Sequence, residues 1–364
     1  MPAAFVPRHV QTLDVYQPGK PIDELERELG ITGAIKVASN ENPLGPSPAA
    51  LAAIPGALAS LHLYPDAGGF ALRRAIGIYL GLDAAQLTLG NGSNDLLYQL
   101  VLATCEPTDE VLSHAFAFLS YRLSAQVAGR TFIAVPATPA LACDIGAVIA
   151  AITPRTKLVV LGSPNNPTGS IVTTAEAERV LAALPARALL VIDEAYTEYA
   201  AAWPEVDHVD GLALLRRDPR VIVLRTFSKI YGLAGLRVGY AAAAPEVIET
   251  LNRVARTFNV STVAQVAAIA ALGDQAHVLA SAALARGQIE QLRARVPGAY
   301  PSLANFVLID TGRPSGPLYD QLLRRGVIVR PMAAWGLPQH LRVSICRPSE
   351  LETVISTLIS VLAA

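Results

Sequence analysis

The chain of 364 residues is 52% hydrophobic and only 16% charged, which excludes an intrinsically disordered protein and predicts a substantial buried core. Its 29 Lys and Arg residues and 30 Asp and Glu residues give a net charge of −1, and the basic residues form no stripe. Nucleic acid and anionic membranes are therefore poor candidate partners, and a small molecule is favoured.

The N-terminal segment contains charged residues and proline rather than an apolar run, so no signal peptide is expected. No stretch reaches the roughly 20 apolar residues that a membrane-spanning helix needs. The three cysteines are far apart and odd in number, which fits a reducing compartment, and the six histidines form no metal-binding pair. We therefore expect a cytoplasmic enzyme without a metal ion.

The sequence divides into three predicted parts. Residues 1–44 are expected to form an N-terminal arm and part of a small domain. In residues 45–248, short runs rich in Val, Ile and Leu alternate with helical patterns, which predicts a large α/β domain with a mostly parallel sheet. Residues 249–364 begin with a helical region to about residue 295 and end with further β-rich runs, which predicts a small C-terminal domain.

Polar residues follow three predicted strands of the large domain. The run 157–161 precedes Ser163-Pro164-Asn165-Asn166-Pro167-Thr168-Gly169, the run 188–192 precedes Asp193-Glu194-Ala195-Tyr196, and the run 221–224 precedes Arg225-Thr226-Phe227-Ser228-Lys229. In an open α/β sheet, ligands bind beyond the carboxyl ends of the strands. We therefore expect the three polar clusters to converge on one site.

Two residues of these clusters indicate the chemistry of the site. Lys229 follows a buried strand, so its amine is expected to be poorly solvated and suited to forming a Schiff base. Asp193 follows five apolar residues, so its carboxylate needs a cation. An arginine of the protein is one candidate for that cation, and the pyridinium nitrogen of pyridoxal phosphate is another.

Further residues fit the ring of that cofactor. Tyr196 and Asn166 can hydrogen-bond its phenolic oxygen, although Asn166 also suits a simple turn. Phe116 and Phe118 are equally good candidates, from the sequence alone, to stack on the ring, and either can belong to the core instead.

Two features fit the cofactor phosphate. The stretch Gly90-Asn91-Gly92-Ser93-Asn94 precedes a helical apolar stripe, and the N-terminus of a helix capped by Ser93 or Asn94 attracts anions. Arg237 lies in the run 236–240, which we predict to be a buried strand, and a buried arginine needs an anion.

With these residues in place, the chain resembles the fold-type I pyridoxal-phosphate enzymes, and among them the class II aminotransferases. The resemblance covers nearly the whole chain and rests on motifs that occur in the same order: Ala38-Ser-Asn-Glu-Asn-Pro-Leu-Gly-Pro, Tyr64-Pro-Asp, Gly90-Asn-Gly-Ser, Ser163-Pro-Asn-Asn-Pro-Thr-Gly, Asp193-Glu-Ala-Tyr, Thr226-Phe-Ser-Lys-Ile-Tyr-Gly-Leu-Ala-Gly-Leu-Arg-Val-Gly, Val329-Arg-Pro-Met and Leu341-Arg-Val-Ser. The first two motifs are typical of the histidinol-phosphate aminotransferase group.

The resemblance implies a role for each matching residue. The implied catalytic residues are Lys229, which binds the cofactor covalently, Asp193, which holds its ring nitrogen protonated, and Tyr196. The implied cofactor ligands also include Ser93, Asn94, Asn166, Ser228 and Arg237, with Phe116 stacked on the ring and Tyr64 reaching the phosphate from the second subunit of a homodimer. The implied substrate-binding residues are Tyr16, Asn42, Arg330 and Arg342.

The resemblance also implies a reaction. It is the ping-pong transamination between histidinol phosphate and 2-oxoglutarate, in histidine biosynthesis, with a small amino donor and a 2-oxo acid as partners. Three alternatives stay open: an aromatic amino-acid aminotransferase, a decarboxylase of the threonine-phosphate type, and a non-catalytic cofactor-binding regulator. The regulator is disfavoured, because the residues before the large domain are too few and insufficiently basic for a DNA-binding domain.

Overall fold

The computed structural model describes residues 5–11, 13 and 19–364. The helices within these ranges are α1 Arg8–Gln11, α2 Ile22–Leu29, α3 Pro48–Leu58, α4 Phe70–Leu80, α5 Ser93–Thr104, α6 Leu119–Val127, α7 Ile145–Ala150, α8 Thr174–Ala183, α9 Thr197–Ala200, α10 Gly211–Leu215, α11 Pro245–Val254, α12 Thr262–Gly273, α13 Gln275–Arg295, α14 Ser315–Arg324 and α15 Leu351–Ala363. The strands are β1 Ile35–Lys36, β2 Leu87–Gly90, β3 Glu110–His114, β4 Thr131–Val135, β5 Thr156–Gly162, β6 Leu189–Asp193, β7 Val221–Thr226, β8 Gly239–Ala242, β9 Phe306–Asp310, β10 Val327–Ile328, β11 Arg330–Pro331 and β12 His340–Ser344.

A seven-stranded sheet in the order β2-β8-β7-β6-β5-β3-β4 forms the centre of the molecule. Strand β8 runs antiparallel to both of its neighbours, and the other paired strands are parallel. The mostly parallel sheet expected from the sequence is therefore present. Strands β5, β6 and β7 are adjacent, so the polar segments that follow them emerge along the same edge.

Both faces of this sheet are buried, and β6 shows why its sequence is continuously apolar. Leu190 and Ile192 pack into one apolar cluster, while Val191 packs into a second cluster on the other face. Successive side chains of a strand point to opposite faces, so a strand covered on both sides needs apolar residues at every position. The polar residues at the strand ends are thus left to form a ligand site.

The C-terminal part contains a three-stranded antiparallel sheet in the order β11-β12-β9. Strand β1, near the start of the chain, pairs with β10 near its end. The helical region expected to reach about residue 295 is present and consists of α11, α12 and α13. The domain boundaries near residues 44 and 248 stay predictions.

Within the part of the chain that the structure describes, no single helix has the length and apolarity to cross a membrane. Helices α12 and α13 together reach that length and composition, but they meet at a bend of 78°. The described residues also contain no group of three or more His, Cys, Asp or Glu side chains placed to hold a metal ion.

Candidate active site

The polar ends of β5, β6 and β7 surround a cavity of about 200 Å³. Ten of the residues singled out from the sequence line it: Ser93, Asn94, Asn166, Asp193, Tyr196, Ser228, Lys229, Arg237, Arg330 and Arg342. The convergence expected from the strand order is therefore observed, and it brings in residues from both the central sheet and the C-terminal part.

Lys229 lies just beyond β7, and its amine faces the cavity. Its Nζ donates to the carbonyl oxygens of Ser39 and Asn40 at 3.4 and 3.3 Å. Burial, together with the positive charge of Arg342, lowers the pKa of Lys229 to about 8. About a fifth of this amine is consequently neutral near pH 7.4, far more than for an ordinary lysine, and the neutral form is the one that acts as a nucleophile or base.

Asp193, the last residue of β6, is buried and is held by neutral donors. The Tyr121 hydroxyl donates to its Oδ2 at 2.8 Å, and the backbone N–H of Ala195 donates to its Oδ1 at 3.2 Å. Burial raises the pKa of Asp193 to about 6, although both hydrogen bonds oppose that shift. A carboxylate in this environment gains most from a cationic partner inside the cavity.

The sequence left open that an arginine of the protein pairs with Asp193. The nearby arginine, Arg225, pairs instead with the next residue, Glu194. Arg225 lies 2.7 Å from Glu194 Oε2, and its Nε also donates to that oxygen. The backbone N–H of Gly211 donates to Oε1 of Glu194. Arg225 therefore neutralises Glu194, and Asp193 faces the cavity.

A set of hydrogen-bond donors, which we call the anion site, lies at the N-terminus of α5. It consists of the first residues of α5, Ser93 and Asn94, with Ser228 and Arg237. The Arg237 guanidinium donates to Ser228 Oγ at 3.2 Å. Because the first amides of a helix lack partners within the helix, this end of α5 attracts an anion.

Two glycines make room for the anion site. Gly92 precedes α5 with φ 82°, and a Cβ there would lie 2.6 Å from Nη2 of Arg237. A Cβ at Gly239 would lie 2.5 Å from the backbone nitrogen of Ser93. Any larger residue at either position would displace the groups that form the anion site.

The prediction that Arg237 lies inside a buried strand is wrong. Strand β8 begins only at Gly239, and Arg237 follows a short 3₁₀ turn, Ala234–Leu236, in a left-handed conformation with φ 52°. Its side chain is exposed. The glycine-rich stretch thus forms a turn that carries the guanidinium to the anion site, rather than a strand.

Asn166 and Arg342 are joined in the cavity. Arg342, on β12, donates from Nη1 to Asn166 Oδ1 at 2.6 Å and from Nη2 to the carbonyl oxygen of Ala38 at 2.7 Å. Its guanidinium also lies over the ring of Phe306, 5.2 Å from the centroid. These contacts hold the guanidinium in one orientation at the wall of the cavity.

Arg330 and Trp335 form the neighbouring wall. The Arg330 guanidinium lies 5.4 Å from the Trp335 ring centroid, within the range of a cation–π interaction. Both side chains are largely buried and line the cavity. With Arg342, this end of the cavity presents two guanidinium groups.

Two residues that the sequence analysis placed in the site, Phe116 and Asn42, do not line the cavity. Phe116 does not line the cavity but packs near Met332 and Trp335, and Phe118 lines the cavity instead. Asn42 also lies outside it, because its amide donates to the carbonyl oxygen of Ile230 at 2.7 Å and to Ser281 Oγ at 2.9 Å.

Tyr64 is another predicted residue that does not line the cavity of this chain. Tyr64 is 81% exposed, and its ring stacks on Phe258 with centroids 4.5 Å apart. Its predicted role depends on a second subunit and stays a prediction. Tyr16 lies outside the described residues.

Sequence reasoning missed two residues of the site. Asn40 lines the cavity and donates to the Tyr196 hydroxyl oxygen at 3.0 Å. Tyr121, on the first turn of α6, binds Asp193. Asn40 belongs to the motif that begins at Ala38, and that motif is the signal for its position, whereas no motif in the sequence of α6 distinguishes Tyr121 from a core residue.

The comparisons with known proteins agree with this geometry. The family model described as "Aminotransferase class I and II" matches residues 32–358. A "Histidinol-phosphate aminotransferase" of Anaeromyxobacter sp. (strain Fw109-5) is 47% identical, over 99% of this chain and 100% of the relative. A "Histidinol-phosphate aminotransferase 1" of Nitrosococcus oceani is 46% identical, over 97% of this chain and 95% of the relative.

A solved structure is similar over the same length. It is that of a histidinol-phosphate aminotransferase from Sinorhizobium meliloti in complex with pyridoxal-5'-phosphate. Its TM-score is 0.88 at 28% sequence identity, and the match covers 99% of this chain and 98% of the other.

Proposed function

This chain belongs to the class I and II aminotransferase family, and we propose that it transfers an amino group from histidinol phosphate to 2-oxoglutarate with pyridoxal phosphate as cofactor. The fold-type I architecture and the reaction class expected from the sequence agree with the family. The observation that carries the proposal is the combination, in one cavity, of Lys229, Asp193, the anion site and two arginines.

The residues present fit pyridoxal phosphate group by group. The anion site matches the phosphate, and its two glycines leave the space that a Cβ would fill. The buried Asp193 carboxylate matches the ring nitrogen, and Asn166 and Tyr196 match the phenolic oxygen. Lys229 supplies the amine for covalent attachment, and Phe118, one of the aromatic residues that line the cavity, can stack on the ring.

The cofactor, when bound, supplies an electron sink for the carbanion formed at the amino donor. Side chains of the protein carry out the proton transfer at the amino donor. The pKa of the Lys229 amine, when it is not attached to the cofactor, is lowered to about 8, so its Nζ would take the proton from the donor Cα as a general base and give it up again as a general acid. Asp193 keeps a proton on the ring nitrogen, which maintains the electron sink.

The two arginines that line the cavity, Arg330 and Arg342, can bind the anionic groups of both substrates. Histidinol phosphate carries a phosphate and 2-oxoglutarate carries two carboxylates, and a guanidinium fork binds either group through paired N–H donors. Arg342 and Arg330 are opposite each other on the paired strands β12 and β11, and both guanidinium groups line the cavity. A single pocket can therefore serve both halves of a ping-pong reaction.

A panel of amino donors with 2-oxoglutarate as acceptor tests this proposal. Histidinol phosphate is expected to give the highest kcat/KM among histidinol phosphate, phenylalanine, tyrosine and histidine. A preference for phenylalanine or tyrosine would indicate an aromatic aminotransferase. Release of carbon dioxide without a keto-acid requirement would indicate a decarboxylase.

We also propose that the enzyme is a homodimer and works in the cytoplasm. Tyr64 and its neighbours Leu61, Leu63 and Phe70 are each at least 60% exposed, and a monomer rarely leaves so much apolar surface in contact with water. The family resemblance implies that, in such a dimer, Tyr64 reaches the anion site of the second subunit. Light scattering should give twice the mass of one chain, and a monomer would contradict the shared site.

A further inference from the structure

Asn40 occupies an unusual position between β1 and the N-terminus of α3. Asn40 is only 1% exposed to solvent, and its backbone φ is 55°, in the left-handed region. Residues other than glycine seldom adopt this conformation, and asparagine is among the few that do so readily. The conformation turns the Asn40 side chain and its carbonyl oxygen toward different parts of the site.

The side chain of Asn40 connects two elements. Its Nδ2 donates to the Tyr196 hydroxyl oxygen at 3.0 Å, and its Oδ1 accepts from Ser344 Oγ at 2.8 Å. Ser344 lies on β12, two residues after Arg342, and its Oγ also accepts from the Asn40 backbone N–H at 2.9 Å. This pairing with Ser344 fixes which end of the amide faces Tyr196.

The backbone of Asn40 contacts a second residue of the site. Its carbonyl oxygen accepts from Lys229 Nζ at 3.3 Å and from Asn305 Nδ2 at 3.0 Å. Asn40 therefore contacts both Tyr196 and Lys229 through different groups. A substitution can remove the contact with Tyr196 and keep the contact with Lys229.

The direction of the hydrogen bond to Tyr196 has a chemical consequence. Because the amide of Asn40 donates to the phenol oxygen, the hydroxyl hydrogen of Tyr196 cannot point at Asn40. Accepting a hydrogen bond also makes the hydroxyl a stronger donor, since chains of hydrogen bonds polarise one another. The hydroxyl hydrogen is thereby directed to other acceptors, including a group in the cavity.

We infer that Asn40 is a positioning residue that directs the Tyr196 hydroxyl hydrogen toward the phenolic oxygen of the cofactor, an inference that rests on the proposed function. The donated hydrogen bond stabilises the ionised phenolic oxygen. Asn40 therefore lowers the pH at which the bound cofactor loses its proton.

Two variants separate the amide from the backbone. Asn40→Gly removes the side chain, and glycine readily adopts the φ of 55°, so the backbone contacts are retained. Asn40→Asp keeps the shape and the acceptor for Ser344, but it replaces the N–H donor with an oxygen and adds a negative charge, which itself raises the midpoint. That oxygen accepts the Tyr196 hydroxyl hydrogen and turns it away from the cavity.

The measurement is a pH titration of the visible absorbance of the pyridoxal-phosphate-loaded protein. The midpoint should rise by about half to one pH unit in Asn40→Gly, the size of one neutral hydrogen bond, and at least as far in Asn40→Asp. The charged groups that act on Lys229, namely Arg342, Glu41, Arg237 and Asp193, are unchanged in Asn40→Gly. The Tm of each variant, measured by thermal unfolding, shows whether the substitution also changes the stability of the protein.

A double-mutant cycle with Tyr196→Phe supplies the control. If Asn40 acts through Tyr196, adding Asn40→Gly to Tyr196→Phe should not move the midpoint further. An equal shift in both backgrounds, or a lower Tm without any shift in Asn40→Gly, would overturn the inference. If the glycine variant does not fold, an Asn40→Asp shift that is equally large in the Tyr196→Phe background would overturn it, because such a shift would come from the added charge alone. An unsubstituted protein that gains no visible absorbance with pyridoxal phosphate would instead refute the proposed function.

Discussion

Asp193 and Glu194 are adjacent in the sequence, and both are buried, but their surroundings differ. Glu194 lies 2.7 Å from the Arg225 guanidinium, whereas Asp193 is held by the Tyr121 hydroxyl and a backbone N–H and faces the cavity. A buried charge that is neutralised within the protein serves the fold. A buried carboxylate with only neutral donors, at the wall of a cavity, indicates a cationic ligand.

The largest expected effect comes from removing the carboxylate that faces the cavity. Asp193→Asn keeps the shape of the side chain but cannot hold a proton on the ring nitrogen, so kcat should fall about 10²–10³-fold. The free energy of unfolding of the cofactor-free protein should change little. A kcat within a few-fold of the unsubstituted enzyme would show that Asp193 does not pair with the cofactor.

The matched control at the next residue should behave in the opposite way. Glu194→Gln leaves Arg225 without its carboxylate in a buried position, which should lower the free energy of unfolding by about 3–5 kcal/mol. The kcat of the folded fraction should stay within a few-fold. Urea unfolding and steady-state kinetics on the same samples check both values, and a large loss of kcat with unchanged stability would reverse our assignment of the two carboxylates.

Two glycines, one beside the anion site and one away from it, provide a second matched pair of variants. Gly239→Ala would place a Cβ 2.5 Å from the Ser93 nitrogen, so the affinity for pyridoxal phosphate should fall about 10-fold, the equivalent of one hydrogen bond. Gly235→Ala is the control, because no atom lies within 4 Å of the added Cβ. Equal affinities of the two variants would mean that the phosphate binds elsewhere.

The smallest expected effect is a change in the pH dependence of cofactor binding when Tyr121 is replaced. Below a pH of about 6, Asp193 becomes protonated in the cofactor-free protein and no longer attracts a cation, so the affinity for pyridoxal phosphate should decrease. Tyr121→Phe removes a hydrogen bond that lowers the pKa of Asp193, so the decrease should begin about one pH unit higher. An unchanged pH profile in the variant would show that Tyr121 has only a packing role.

The residues that sequence reasoning placed correctly share a physical basis. Asp193, Ser228 and Lys229 lie at or directly after strands whose apolar composition identifies them, and the carboxyl ends of adjacent parallel strands meet along one edge. The positions of the strands are therefore enough to bring these side chains together at one edge of the sheet.

The residues placed wrongly depend on local backbone conformation. Asn40 and Asn42 belong to one motif, but only Asn40 lines the cavity, and its backbone has a left-handed φ that the sequence pattern does not reveal. Arg237 follows a turn and not a strand, because the glycine-rich stretch before it adopts a 3₁₀ conformation. Single φ values of this kind are set by tertiary contacts and leave little trace in a sequence pattern.

The central claim is that pyridoxal phosphate is attached to Lys229. The chain has four lysines, at positions 20, 36, 157 and 229, so the attachment point can be identified without ambiguity. Borohydride reduction of the cofactor-loaded protein, followed by mass analysis of its peptides, should find the pyridoxyl phosphate group on Lys229. A group found on another lysine, or on none, would contradict the account.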